Sequence, residues 1–202
     1  CGSLRDDFAP GHVVIPDQVF DFARNRPRTF FTDGMVVHIS SADPFCQRLS
    51  TAVGDAVQVA GGVVHMGGTM VIIEGPRFST KAESNAFRSW GMSIIGMTCV
   101  PEVFLAREAE CCYSVMAHVT DYDVWHLSET SVSVDMVVQT LNKNTRLAQV
   151  AIRQLLKQLP PSSICSCNSA LSNAIITDPR VIPAGTRTRL DLLVKKYLLP
   201  LD

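Results

Sequence analysis

The stretch MVIIEGPRFSTKAESNAFRSWGMSIIGMTCVPEVFLAREA, residues 70–109, decides the fold class. Met70 to Ile73 is a short apolar run ended by Gly75 and Pro76, the pattern of a strand buried on both faces. Ala82, Ala86 and Trp90 then recur every four residues and predict a helix, Ile94 to Met97 repeats the strand signal, and Pro101-Glu102 opens a second helix through Glu110. Strand, helix, strand, helix in 40 residues argues an α/β domain.

Outward from this unit the alternation continues. His12 to Ile15, Val57 to Val64 and Tyr113 to Val119 read as further strands, while Phe45, Leu49, Val53 and Val57 give a helical stripe. A long helix is predicted from a cap near Ser133, with Asp135 in its first turn and Val134, Val137, Val138, Leu141, Leu155 and Leu156 turned inward. PPSSICSCNSA reads as a loop, and Arg187 to Leu199 as a closing helix. The expectation is a single α/β domain with a central mixed sheet flanked by helices.

Composition narrows the function classes. The 202 residues are 47% hydrophobic and 18% charged, enough apolar content for a substantial core, with a formal charge of -1. No Lys/Arg-rich run tracks a phosphate backbone, so nucleic acid is not an expected partner. No apolar stretch approaches the roughly 20 residues that span a bilayer, and CGSLRDDFAP lacks a signal-peptide pattern. No membrane partner is expected, and the location expected is cytosolic, with the nucleus second. The seven cysteines, an odd count with Cys111 and Cys112 adjacent, suit a reducing compartment and read mostly as small core residues. Cys165-Ser-Cys167 offers a labile disulfide or half a metal site, but no second Cys/His pair stands at ligand spacing, so no metal is expected.

The chemistry-bearing stretch is VTDYDVWH, residues 119–126, which follows an apolar run. In α/β folds ligands collect beyond the carboxyl ends of strands. Residues two apart in an extended segment point the same way, so Asp121 and Asp123 can address one ligand. A carboxyl group accepts hydrogen bonds and, when protonated, donates one, which suits an amino-substituted purine. By spacing alone, such a pair is more often a capped solvated loop or a divalent-metal site than a nucleobase contact.

GSLR and PGHVVIPDQ, RPRTFFTDG, ADPFC, EGPRFS with AES, GMTCVPE, TDYDVW and VSVD occur in order over most of residues 1–141. In these blocks the chain resembles the 5′-methylthioadenosine phosphorylases of the trimeric purine nucleoside phosphorylase superfamily. Residues 157–184 match poorly, and the closing LLP is again similar. The resemblance implies attack of inorganic phosphate, a co-substrate, on the ribose C1′ of methylthioadenosine, releasing adenine and 5-methylthioribose-1-phosphate without any cofactor.

It also implies roles. Asp121 would serve purine N7 as acid or hydrogen-bond donor, which requires a raised pKa, and Asp123 would accept from the 6-amino group. Thr120 adds a hydroxyl, Phe78 packs on the base, and Ile95 and Met97 line the substrate site with Met97 against the ribose. Thr98 binds phosphate, and Val134, Val137 and Val138 form a slot for the methylthio group. His38 and Leu198 would enter the site of an adjacent subunit, so a homotrimer is expected. Asp121 and Ser79 stand where the related inosine and guanosine phosphorylases carry Asn and Glu, which points to 6-aminopurines. Cys99 and His118 depart from the family pattern, in which the first is commonly Thr and the second small and apolar.

The family's glycine-rich phosphate loop, an Arg-His pair and a Thr-Ala step precede the position of Cys1, and the glycine pairs at 61 and 67 do not replace them; the second reads as a turn. The expectation is therefore that residues 1–202 are the carboxyl-terminal two-thirds of one phosphorylase domain. The alternatives are a phosphorylase of adenosine or inosine, and a non-catalytic nucleoside-binding fragment if the chain truly starts at Cys1.

Overall fold

The computed structural model describes residues 1–126, 134–159 and 165–198. Strands β1 (Gly2–Ser3), β2 (Val13–Ile15) and β3 (Gln18–Asp21) precede helix α1 (Gln47–Val59). Then follow β4 (Val64–Met66), β5 (Thr69–Ile72), α2 (Lys81–Ser89), β6 (Ile94–Gly96), α3 (Glu102–Glu108), β7 (Ala117–His118), α4 (Val134–Gln158) and α5 (Ala184–Val194). Short 3-10 turns at Ser166–Ser169 and Pro179–Val181 lie between the last two helices.

The strands form two mixed sheets rather than one central sheet. One has the order β1-β6-β5-β3, with β1 antiparallel to β6 and the rest parallel; the other is β4-β2-β7, parallel then antiparallel. An isolated bridge, Gly2 to Asp121, links β1 to the segment that follows β7.

Alternation along the strands explains the layering. Met70 and Ile72 of β5 join Val14 of β2, Ile94 of β6 and Ala117 of β7 in the core between the sheets. Val71, one residue out of phase, faces the opposite way onto Phe87 of α2 and Met92. Val13 and Ile15 flank Val14 and meet Val53 and Val57 of α1 and Ala151 of α4. A strand buried on both faces needs apolar side chains at every position, which is why these segments read as continuous runs. Burying a fully enclosed side chain such as Ile72 contributes about 1.5–3 kcal/mol.

Several sequence expectations require correction. Val57 to Val64 is not a strand: α1 continues to Val59, Gly61 turns the chain at φ 84°, and the strand begins at Val64. Gln18–Asp21, with its exposed alternate residues, is a strand that the apolar-run criterion passes over. Only Ala117–His118 of the run from Tyr113 is paired as strand. In α2 the inward face is Ser84 and Phe87, not Ala82, Ala86 and Trp90. Trp90 instead stacks on Phe22, with ring centroids 6.0 Å apart.

In α4, Val138, Leu141 and Leu156 are exposed, and the inward stripe is Asn144, Leu147, Ala151 and Leu155. Ser133 and the side chains of Val134 and Val137 lie outside the described residues. The closing helix runs Ala184–Val194 and packs through Leu190 and Val194 onto Phe31, Met35 and Leu171. The second glycine pair is indeed a turn, Gly67 and Gly68 adopting φ 84° and 106° between β4 and β5.

The cysteines are not simply scattered core residues. Cys111 is exposed, and the sulfur atoms of Cys46, Cys112, Cys165 and Cys167 come together from distant parts of the chain. No described helix is long and apolar enough to cross a membrane.

Candidate active site

A cavity of about 410 Å³ opens where β5, β6 and β7 end. Backbone hydrogen bonds fix its floor: Ser3 N–H donates to the Asp121 carbonyl (2.8 Å) and Thr120 N–H to that of Cys1 (2.9 Å). Trp125 Nε1 donates to the Ser3 carbonyl at 2.7 Å, and the Arg88 guanidinium lies 3.3 Å over the Trp125 ring while donating to the Leu4 carbonyl at 2.6 Å. The segments GSLR and TDYDVW are therefore one structural unit.

The two aspartates meet through a turn rather than through strand alternation. Asp123 adopts φ 52°, a left-handed conformation that aspartate tolerates better than most residues, and its N–H donates to Asp121 Oδ1 at 2.8 Å. Thr120 Oγ1 donates to Asp121 Oδ2 at 2.6 Å. The Thr120 hydroxyl thus orients Asp121. Ser79 Oγ donates to Asp123 Oδ1 at 3.3 Å, while Asp123 Oδ2 is buried without a hydrogen-bond partner. Burial pushes the Asp123 carboxyl above its ordinary value, and the nearby Asp121 charge pushes the same way. A raised pKa is thus found at Asp123. An unpaired polar atom inside a protein costs free energy, so this oxygen, on a carboxyl that has the buried Ser84 hydroxyl for a neighbour, is better suited to hold a proton than a charge.

Helix α2 carries the rim. Thr80 accepts from Glu83 N–H at 3.2 Å and the Glu83 carboxylate accepts from Thr80 N–H at 2.7 Å, a reciprocal cap. Arg77 grips Glu83 through two 2.7 Å bonds, and with that partner and the Thr80 N–H the Glu83 carboxyl is held down to about 2. These contacts set the start of the helix just after Phe78, which lines the cavity while 65% exposed. A plain core role for Phe78 is excluded.

Among the residues expected at the site, Phe78, Ile95, Met97, Thr98, Thr120, Asp121 and Asp123 line this one cavity. Val138 does not: it is exposed on α4, whose Leu141 lines the cavity instead. His38 is exposed, its N–H donating to the Ala174 carbonyl at 2.8 Å, and Leu198 packs against the Leu190 cluster. Neither lies in the cavity of its own chain.

Two further lining residues carry chemistry. Ser79 joins the Asp123 bond already given, and His118 reaches the cavity with both ring nitrogens buried and unpartnered. Burial holds the His118 imidazole below its ordinary pKa. The polar residue in an otherwise apolar run, MAHVT, was the sequence signal for it.

The family model described as the phosphorylase superfamily matches residues 1–157. The chain belongs to the phosphorylase superfamily. A relative from Geobacter sulfurreducens named S-methyl-5'-thioadenosine phosphorylase is 50% identical over 198 residues, 98% of this chain and 69% of that protein. The crystal structure of a methylthioadenosine phosphorylase from an antarctic soil metagenomic library superposes with a TM-score of 0.87 at 42% identity, covering 98% of this chain and 69% of that one. The methylthioadenosine phosphorylase of Schistosoma mansoni in complex with adenine gives a TM-score of 0.82 at 30% identity, covering 87% and 70%. The α/β architecture with mixed sheets and flanking helices is that of this superfamily.

Proposed function

We propose that the chain performs phosphorolysis of 5′-methylthioadenosine, yielding adenine and 5-methylthioribose-1-phosphate. The observation that carries the reading is the carboxyl pair at the cavity floor, with one anchored member and one buried oxygen left open. Expelling a purine requires a donor at N7 and neutralisation of charge developing on the base. Burial favours a proton on the Asp123 carboxyl, which keeps a second negative charge away from the departing base. Asp121 is assigned to N7 and Asp123 to the 6-amino group, with Phe78 against the base and Ile95 and Met97 beside the sugar.

Thr98 is assigned to phosphate, which enters as co-substrate, and the chemistry calls for no metal or organic cofactor at this site. His118 is assigned to the sugar, where a substrate hydroxyl would satisfy a ring nitrogen. A homotrimer with His38 and Leu198 at neighbouring sites is supported by their position outside the chain's own cavity. Exposure of the apolar side chains Val36, Ile176, Val181 and Leu192 supports self-association too.

The test is phosphate-dependent release of adenine from methylthioadenosine, with inosine in parallel and adenine binding followed by calorimetry. Adenine appearing only with phosphate, with little hypoxanthine, is expected. Equal turnover of inosine would move the assignment to a broad nucleoside phosphorylase, and adenine binding without turnover would favour a binding module. Light scattering of the eluting protein tests the trimer.

A further inference from the structure

The four-cysteine cluster lies outside the cavity just described, beside a groove of about 760 Å³. Cys46 caps the start of α1, Cys112 follows α3, and Cys165 and Cys167 bracket the first residue of a 3-10 turn. All four sulfur atoms lie within 4.8 Å of one another, and the Cys112–Cys165 pair is 3.4 Å apart. In a tetrahedral zinc–thiolate centre with bonds of about 2.3 Å the sulfur atoms stand about 3.8 Å apart. The thiols are therefore gathered at nearly the spacing that such an ion demands. Ordinary core cysteines pack against hydrocarbon, whereas these pack against each other and against cations. Arg48 Nη2 lies 4.0 Å from Cys112 Sγ and Arg107 Nη1 3.9 Å from Cys167 Sγ. Arg48 Nε and Nη1 are buried with no hydrogen-bond partner.

We propose that Cys46, Cys112, Cys165 and Cys167 form a structural site for a soft divalent cation, zinc by preference. Four thiolates around one divalent ion carry a net charge of minus two, and the two guanidiniums beside the cluster balance it. Binding releases the thiol protons to solvent as four metal–sulfur bonds form, with no change of oxidation state. A set of four protein ligands leaves no open position, which makes the site a closed structural one rather than a catalytic one. Its mechanical effect is to tie the segment around Cys165 and Cys167 to α1 and to the end of α3.

The experiment is elemental analysis of the protein purified under reducing conditions without chelator, followed by titration of the apo-protein with cobalt alone and then zinc alone. Expected are about one zinc ion per chain, thiolate-to-cobalt charge-transfer absorption that zinc abolishes, and a lower thermal midpoint after chelation. Cys112→Ser and Cys167→Ser should each lose the cobalt spectrum, while Cys111→Ser, outside the cluster, should keep it. If the fully reduced wild type takes up neither cobalt nor zinc, the proposal is overturned. It is equally overturned if peptide mapping of the metal-free protein finds Cys112 and Cys165 joined in a disulfide and reduction does not restore metal uptake.

Discussion

Two recesses among the described residues, the cysteine-lined groove and the carboxyl-lined cavity, differ in nearly every respect except that both are concave. The larger, of about 760 Å³, is lined by Cys46, Cys165, Cys167, Arg48 and Arg107. The smaller, of about 410 Å³, pairs an apolar wall with two carboxyls and a histidine. Size would choose the first as the reactive site, and chemistry chooses the second. In the smaller recess the unsatisfied groups are an acceptor on Asp123 and the ring nitrogens of His118, the complement of a nucleoside's amine and hydroxyls. In the larger they are guanidinium nitrogens beside sulfur, the complement of negatively charged thiolates. Which polar atoms are left waiting discriminates between recesses better than the room they enclose.

That contrast can be broken by substitution. Asp121→Asn should have the largest effect, lowering kcat/KM for methylthioadenosine by roughly 10²–10³-fold and raising relative activity on inosine, with the metal content unaltered. An unchanged base preference would sink the assignment of Asp121 to N7. Phe78→Ala comes next: losing the aromatic wall should weaken adenine binding by about 1–3 kcal/mol, measured by calorimetry. Cysteine variants of the larger recess should leave that affinity untouched. Thr80→Ala removes one half of the α2 cap and should cost about 1 kcal/mol of stability, a fall of about 2–4 °C in thermal midpoint for a chain of this size.

The smallest effect concerns pH. Because burial lowers the His118 pKa below 6.5 in the folded chain, the unfolded chain binds more protons in that window. Stability should therefore rise with pH through it and fall away below. His118→Leu should flatten the dependence seen in thermal melts, while a slope of opposite sign would show that the ring is charged in the folded protein.

The two recesses also differ in how far the sequence revealed them. Residues of the smaller one sit at the ends of contiguous motifs, Phe78 and Ser79 after EGPR, Met97 and Thr98 after β6, Thr120 to Asp123 after β7, so local pattern and chemistry located them together. The tight Asp121–Asp123 turn was not legible, since it depends on a left-handed backbone at Asp123 and on the Thr120 hydroxyl. Nor was the inward stripe of α4. With apolar residues all around its surface, periodicity could not choose between the face of Val138 and Leu156 and the face of Leu147 and Ala151.

The cysteine cluster was hidden for another reason. Ligand-spacing rules look for paired ligands close in sequence, whereas Cys46 arrives singly at the start of α1 and Cys112 in the segment after α3. Only tertiary packing supplies the second half of that set.

The short strand β1 bears on redesign of the base pocket. Gly2 bridges to Asp121, and a methyl group there would stand 3.0 Å from Ile95 Cγ2, 3.1 Å from Asp121 Oδ1 and 3.1 Å from Asp123 Cβ. A mutant library intended to broaden the range of accepted bases should hold this position fixed. Its diversity belongs at Phe78 and Leu141, which meet the cavity from exposed positions and leave the carboxyl pair in place.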